Sequence, residues 1–203
     1  MPRPRLDHVR KAQILSAAAE VMSERGYANV RLADIAAAAG TSPAAILYWF
    51  SGKDELLAEA LRLREQQFHD TYTVKAEHQT TASAKLRVLV QAMLHHYDWP
   101  LWMELCVLAL RDRSAAAERD RLDRRWRAAL RAVIREGQES GEFIDGDAEE
   151  VMFVLAALLD GLAPLLAVKA KGVTRERAER VWLAEAARLL GPGFDARPLK
   201  RSR

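Results

Sequence analysis

Apolar residues recur at three- and four-residue spacing along most of the chain, and this pattern predicts an all-α protein of about nine helices. A first helix, capped by Asp7, runs to about Arg25 with Val9, Ala12, Leu15, Ala18, Ala19 and Met22 inward, and Gly26 ends it. Leu32, Ile35, Ala36 and Ala39 share one face of a short second helix. Gly40 suits a left-handed C-cap, Ser42 is a good N-cap, and Pro43 fits the first helical position. A third short helix follows, with Ile46, Leu47 and Phe50 as its inward face. After a turn capped by Ser51 or Asp54, Leu56, Leu57, Leu61 and Phe68 carry a fourth helix, and polar Thr73–Ser83 reads as a loop.

Lys85–Tyr97 is helical again, with Leu86, Leu89, Val90, Met93 and Leu94 inward. Pro100 interrupts the pattern because the residue before a proline is pushed out of the helical region, and Leu101–Arg111 resumes it. A stretch crowded with both signs of charge leads to Trp126, Leu130, Val133 and Ile134. It reads as a solvated helix face ending at Gly141. Asp145-Gly146-Asp147 is a turn with a capping aspartate. Val151–Val168 is the most apolar stretch, and Arg177–Leu190 is a final amphipathic helix with Val181, Trp182, Ala186, Leu189 and Leu190 as its apolar residues, stopped by Gly191-Pro192-Gly193.

Two short helices joined at a glycine turn over 31–50 have the geometry of a helix-turn-helix, whose second helix enters the major groove. Ala36, Ala37, Ala38, Ala39, Ala44 and Ala45 let the two helices approach closely and leave the front of the second unobstructed. An ordinary helical hairpin inside an all-α core is the plain alternative.

Composition narrows the classes. The 203 residues are half apolar, enough for a sizeable core, and the net charge of +3 is too mild to indicate nucleic acid by itself. A lone cysteine, Cys106, excludes a disulfide framework within one chain and favours a cytoplasmic setting. The basic start, Arg3 and Arg5, is followed by no apolar run and is not a signal peptide. Residues 192–203 form a basic tail. Val151–Val168 reaches the minimum length of a membrane span, but Asp160, Gly161 and Pro164 interrupt it, and no membrane partner is expected. A helix apolar on every side must be buried on every side, one face on its own core and the other on a second subunit. The last two helices, about 148–171 and 175–190, are therefore expected to form a four-helix homodimer interface. Adjacent His95 and His96 point about 100° apart on a helix and cannot share a metal. No HExxH, GxSxG or P-loop pattern occurs, so neither catalysis, nor a cofactor, nor a metal is expected.

Gly26-Tyr27, Asp34-Ile35-Ala36, Ala39-Gly40, Ser42, Tyr48-Trp49-Phe50, Lys53 and Leu56-Leu57 resemble the N-terminal domain of TetR-type repressors. The resemblance spans about residues 8–68 and implies a ligand-responsive, dimeric, all-helical transcriptional repressor. Residues 97–111, 124–127 and 143–147 resemble more loosely the C-terminal domain of the choline-responsive, betaine-synthesis (BetI-like) branch. The expected organisation is a three-helix DNA-binding domain over 1–53 and a larger helical ligand-binding and dimerisation domain over 54–191.

Thr41, Ser42, Tyr48 and Lys53 are the candidates for phosphate contacts, which fix register. Pro43, Ala44 and Ala45 occupy the front of the recognition helix and can meet thymine methyl groups but make no bidentate hydrogen bonds. Arg31 and Trp49 are further candidates, with Leu47 standing where many relatives carry tyrosine. Val30 and Arg31 likewise replace small hydroxyl residues. A dimer presenting two such helices predicts a pseudo-palindromic double-stranded DNA operator. Ligand binding in the state with wrongly spaced recognition helices would release it.

For the ligand, Trp99, Trp102, Met103, Cys106, Trp126 and Phe153 offer apolar and aromatic faces, and Glu104 or Asp160 a carboxylate. Together they could hold a quaternary ammonium by cation–π attraction. An apolar small molecule fits as well, and packed core residues are the simpler reading of the same aromatics. The rival class is a helical small-molecule carrier without specific DNA binding. Replacing Tyr48 or Lys53 separates the two, with loss of the Lys53 charge expected to lower the salt slope.

Overall fold

The computed structural model describes residues 4–197, with side chains from residue 10 onward. The described residues form nine α-helices and one short 3-10 turn, with no strand. The helices are α1 (Pro4–Arg25), α2 (Leu32–Ala38), α3 (Pro43–Trp49), α4 (Lys53–Glu77) and α5 (Ala82–His96). They continue as α6 (Trp99–Ala109), α7 (Arg113–Glu139), α8 (Ala148–Ala167) and α9 (Arg175–Leu190), and the 3-10 turn, Tyr27–Asn29, lies between α1 and α2. Two compact units are present: residues up to 67 with 98–122, and residues 68–97 with the chain from 123 onward.

The first unit is built on Ile14, Leu15, Ala18, Ala19 and Met22 of α1, Ile35 and Ala36 of α2, and Ile46 of α3 with Phe50 just after it. Leu56, Leu57, Ala60 and Leu61 of α4 and Leu101, Leu105 and Leu108 of α6 complete the same core. Each buried Leu, Ile, Met or Phe among them contributes roughly 1.5–3 kcal/mol. The division expected after residue 53 therefore does not coincide with a compact unit. A three-helix unit alone has too little interior, and α4 and α6 supply the rest.

Several local expectations change. α1 starts at Pro4, so Asp7 lies inside the helix and does not cap it. Ala12 is exposed, because the buried stripe runs through Ile14 instead. Leu47 is 52% exposed, leaving Ile46 and Phe50 as the inward residues of the third helix. α4 continues to Glu77, a little over one turn into the stretch expected as a loop, so the loop before α5 is short. The break before α6 falls at Tyr97 and Asp98. Asp98 caps the helix through the Leu101 N–H at 3.3 Å, and Trp99 and Pro100 are already helical. Val9, Arg3, Arg5 and residues 198–203 lie outside the described side chains.

In the second unit α9 packs along α8, and Trp182, 1% exposed, donates its indole N–H to the Leu155 carbonyl at 3.0 Å. Asp147 caps α8 by accepting from the Glu149 and Glu150 amides at 2.9 and 3.3 Å. The start of the basic tail is docked and not solvated. Phe194 is buried near Phe143, Asp195 pairs with Arg87 at 2.7 Å, and the Asp195 N–H donates to the Ser83 hydroxyl at 3.2 Å. Hydrogen bonds from Arg197, with the nearby Arg87 charge, hold the Asp195 carboxyl well below its ordinary range.

Candidate nucleic-acid interface

The turn between α2 and α3 is closed at both ends by its own sequence. Gly40 takes φ 62°, a conformation costly for any residue with a side chain. The Thr41 N–H then reaches the Ala36 carbonyl at 2.9 Å and the Gly40 N–H reaches Ala37 at 3.3 Å, satisfying the last carbonyls of α2. Ser42 accepts from the Ala45 amide at 3.2 Å and Pro43 takes the first helical position of α3. Because Ser42 uses a lone pair for the cap, its O–H stays available as a donor.

With Ile46 and Phe50 anchoring α3 in the core, the opposite face is open. Ser42, Pro43, Ala44, Leu47 and Tyr48 are exposed, while Thr41, Ala45 and Trp49 are half-buried. Tyr48 is 79% exposed and meets the Trp49 ring edge-on at 5.1 Å. Arg31 is exposed beside α2, its backbone N–H held by the Asp34 carboxylate at 2.8 Å. The structure thus places small, hydroxyl and aromatic side chains of α3 on one accessible face, with one cation near the start of α2.

Lys53 departs from this set. Its ammonium donates to the Tyr27 carbonyl at 2.7 Å and the Val30 carbonyl at 2.9 Å, and lies 4.1 Å from the Tyr27 ring centroid. A lysine offers three donors, and two of them are spent on backbone carbonyls of its own unit. The cap of α4 is also reversed. Glu55 reaches back to accept from both the N–H and hydroxyl of Ser51 at 2.7 Å, and those bonds lower its pKa.

Further along the first unit, α4 and α7 share an ionic knot. Arg62 donates to both Glu118 oxygens at 2.9 and 3.0 Å, and Arg121 does so at 3.0 and 2.7 Å. Burial pushes the Glu118 carboxyl up, but the hydrogen bonds from Arg121 and Arg62 outweigh it and hold the pKa at about 2.

The ligand candidates divide between the two units. Trp99, Trp102, Met103 and Cys106 lie on α6, with Trp99 buried, the other three half-buried, and Trp102 packed on the first unit's core. Trp126, Phe153 and Asp160 belong to the second unit. Trp126 is half-buried, and its indole nitrogen is buried without a hydrogen-bond partner among the described residues. Phe153 and Asp160 already serve an internal cation. The Arg127 guanidinium lies 5.9 Å from the Phe153 centroid and donates to Asp160 at 3.1 Å. Glu104 is likewise engaged, accepting from the Tyr27 N–H at 2.8 Å. The sequence reading missed this role, because no local pattern signals a partner 77 residues away. A surface cavity of about 490 Å³ in the second unit is lined by His95, Leu166, Lys169, Val173, Thr174, Arg175 and Glu176, none of them a residue picked for the ligand.

Comparison with known proteins completes the picture. Residues 14–60 match the family model described as bacterial regulatory proteins, tetR family. Residues 82–191 match that of the BetI-type transcriptional repressor, C-terminal. The chain is 37% identical over 67 residues to the HTH-type transcriptional regulator BetI of Brucella canis, covering 32% of this chain and 34% of that relative. The chain thus matches about a third of that relative's length. A transcriptional regulator from Saccharomonospora viridis, solved in complex with choline, superposes with TM-score 0.79 at 30% identity, covering 85% of this chain and 92% of that one. A TetR regulator from Haloarcula marismortui superposes with TM-score 0.81 at 26% identity, covering 91% of this chain and 100% of that one.

Proposed function

The chain belongs to the TetR family of bacterial regulatory proteins, and from that premise we propose that it is a ligand-responsive, DNA-binding transcriptional repressor acting as a homodimer. The observation that carries the reading is the open face of α3. Its apolar anchors are buried, its N-cap hydroxyl can still donate, and Tyr48 projects into solvent. On this reading Thr41, Ser42 and Tyr48 contact phosphates, Arg31 adds a charge, and Pro43, Ala44, Ala45, Leu47 and Trp49 meet the groove. Little hydrogen-bonding capacity faces the bases, so DNA shape supplies much of the specificity.

The second copy is supported by α8. The helix is long and apolar enough to cross a membrane by length and composition, yet Met152, Leu155, Ala156, Leu159 and Ala163 pack in the core of its unit. Phe153, Leu165 and Val168 face solvent along the other side, with Val181 of α9. We assign this face to a copy of itself, which agrees with the family and with a cytoplasmic location.

A small molecule releases the operator in this scheme. Choline is the first candidate, since the Saccharomonospora viridis regulator was solved with it. Within the second unit, the buried Trp126 N–H is a donor that a ligand oxygen can satisfy.

Fluorescence anisotropy tests the reading on the DNA upstream of the protein's own gene, with non-specific competitor across a salt series. Tight, salt-dependent binding that survives competitor, and release by choline or a related cation, is expected. Equal weak binding to that DNA and to every fragment of a genomic selection would leave a helical small-molecule binding protein in its place.

A further inference from the structure

Tyr27 is held at both ends of its own backbone. Its N–H donates to Oε1 of Glu104 on α6 at 2.8 Å, and its carbonyl accepts from Nζ of Lys53, the first residue of α4, at 2.7 Å. The same ammonium reaches the Val30 carbonyl at 2.9 Å, one residue before Arg31 caps α2. Its remaining side is covered by the Tyr27 ring at 4.1 Å. Gly26 makes the grip possible. At φ 77° it turns the chain so that the following N–H faces the carboxylate, and a Cβ there would stand 3.4 Å from the same oxygen.

Four elements of the first unit therefore meet at one residue: the end of α1, the approach to α2, the start of α4, and α6. The helix-turn-helix begins immediately after this node. Van der Waals packing fixes its depth through Ile35 and Ile46, but apolar contacts are not directional. Hydrogen bonds to a carboxylate and from an ammonium are directional and stronger than neutral ones, and these two fix how the segment leading into α2 is turned.

We propose that Glu104 and Lys53 are positioning residues for the recognition helix, acting through Tyr27 without touching DNA. The proposal rests on the DNA-binding reading above. It assigns Lys53 a part opposite to the phosphate contact that its charge and place in the sequence indicate.

The two parts differ in salt dependence. A lysine on a phosphate releases counterions, so its loss lowers the salt slope by about 0.9, whereas a positioning lysine lowers affinity at every salt concentration alike. Operator affinity is measured across a salt series for the full-length protein and for Lys53→Met, Glu104→Ala, Glu104→Gln and the Lys53→Met/Glu104→Ala double variant. Lys53→Met and Glu104→Ala are each expected to weaken binding about tenfold with the wild-type slope retained. Glu104→Gln, which keeps an acceptor oxygen, should stay within about threefold of wild type. The double variant should lose less than the product of the single losses, because both act on one residue.

Amide hydrogen exchange at Tyr27 reads the grip without DNA. Protection is expected in the wild type and Glu104→Gln, and its loss in Glu104→Ala. A slope lowered by about 0.9 in Lys53→Met overturns the proposal, as does unchanged affinity in Glu104→Ala. Wild-type protein that binds no operator while Tyr27 stays protected removes the DNA reading itself, a failure distinct from loss of the grip.

Discussion

Two helices present exposed apolar side chains, and they do so for different ends. α3 is seven residues long, anchored through Ile46, and shows Leu47 and Tyr48 beside hydroxyl and small residues. α8 is twenty residues long and leaves Phe153 and Leu165 exposed, with Val168 exposed just after its end. A short face edged by donors suits the groove of a polyanion, where phosphate oxygens surround thymine methyl groups. A long face with few donors suits its own copy. Exposure of an apolar residue thus acquires meaning from the polar groups around it and from the length of the surface it belongs to.

The largest effect that would break the comparison is on α8. Phe153→Asp or Val168→Asp places a charge on a face assigned to a second subunit, at positions 56% and 60% exposed in the single chain. Sedimentation should show dimer affinity weakened at least about 100-fold with the fold retained, since burying an unpaired carboxylate and losing an apolar side chain both oppose association. Unchanged dimers would place the interface elsewhere.

Tyr48→Ala comes next. Operator affinity should fall about tenfold for every sequence, with the melting temperature unchanged, because the ring is 79% exposed. A drop in melting temperature would make Tyr48 a structural residue and remove it from the interface.

Glu118→Gln should cost about 2 kcal/mol in the first unit while leaving both open faces intact. The sign in pH follows from the lowered pKa. With the folded value at about 2 against an ordinary 4.5, the knot stabilises the protein at and above pH 4.5. That stability is lost as pH falls from about 4.5 towards 2. Denaturant melts of wild type and variant should therefore converge over that window. The smallest expected effect is Leu47→Ser, about a twofold to threefold loss of operator affinity, read in the same anisotropy assay.

Much of this was legible in the chain. The glycine turn, the Ser42 cap, the capping aspartate before α8 and the all-helical pattern all rest on local backbone chemistry, and the sequence displays that directly. Leu47 was misread because on a two-turn helix the inward and outward faces differ by a single position, and apolar character alone does not separate them. The parts of Lys53 and Glu104 were hidden for another reason. Charge predicts solvent or phosphate, whereas their partners are backbone groups of a segment 26 and 77 residues away. The division between units was hidden likewise, since the core of the first unit is completed by Leu101, Leu105 and Leu108, far along the chain.

The most direct test is a hydroxyl-radical footprint of the wild-type protein on an operator recovered by genomic-fragment selection. Two α3 helices carried by a symmetric dimer should protect two half-sites related by a dyad. Their centres should lie about 10–10.5 base pairs apart, or a multiple of that. Tyr48→Ala should weaken both half-sites together. A single unsymmetric protected patch, or protection unaffected by Tyr48→Ala, would contradict the assignment of the α3 face to DNA.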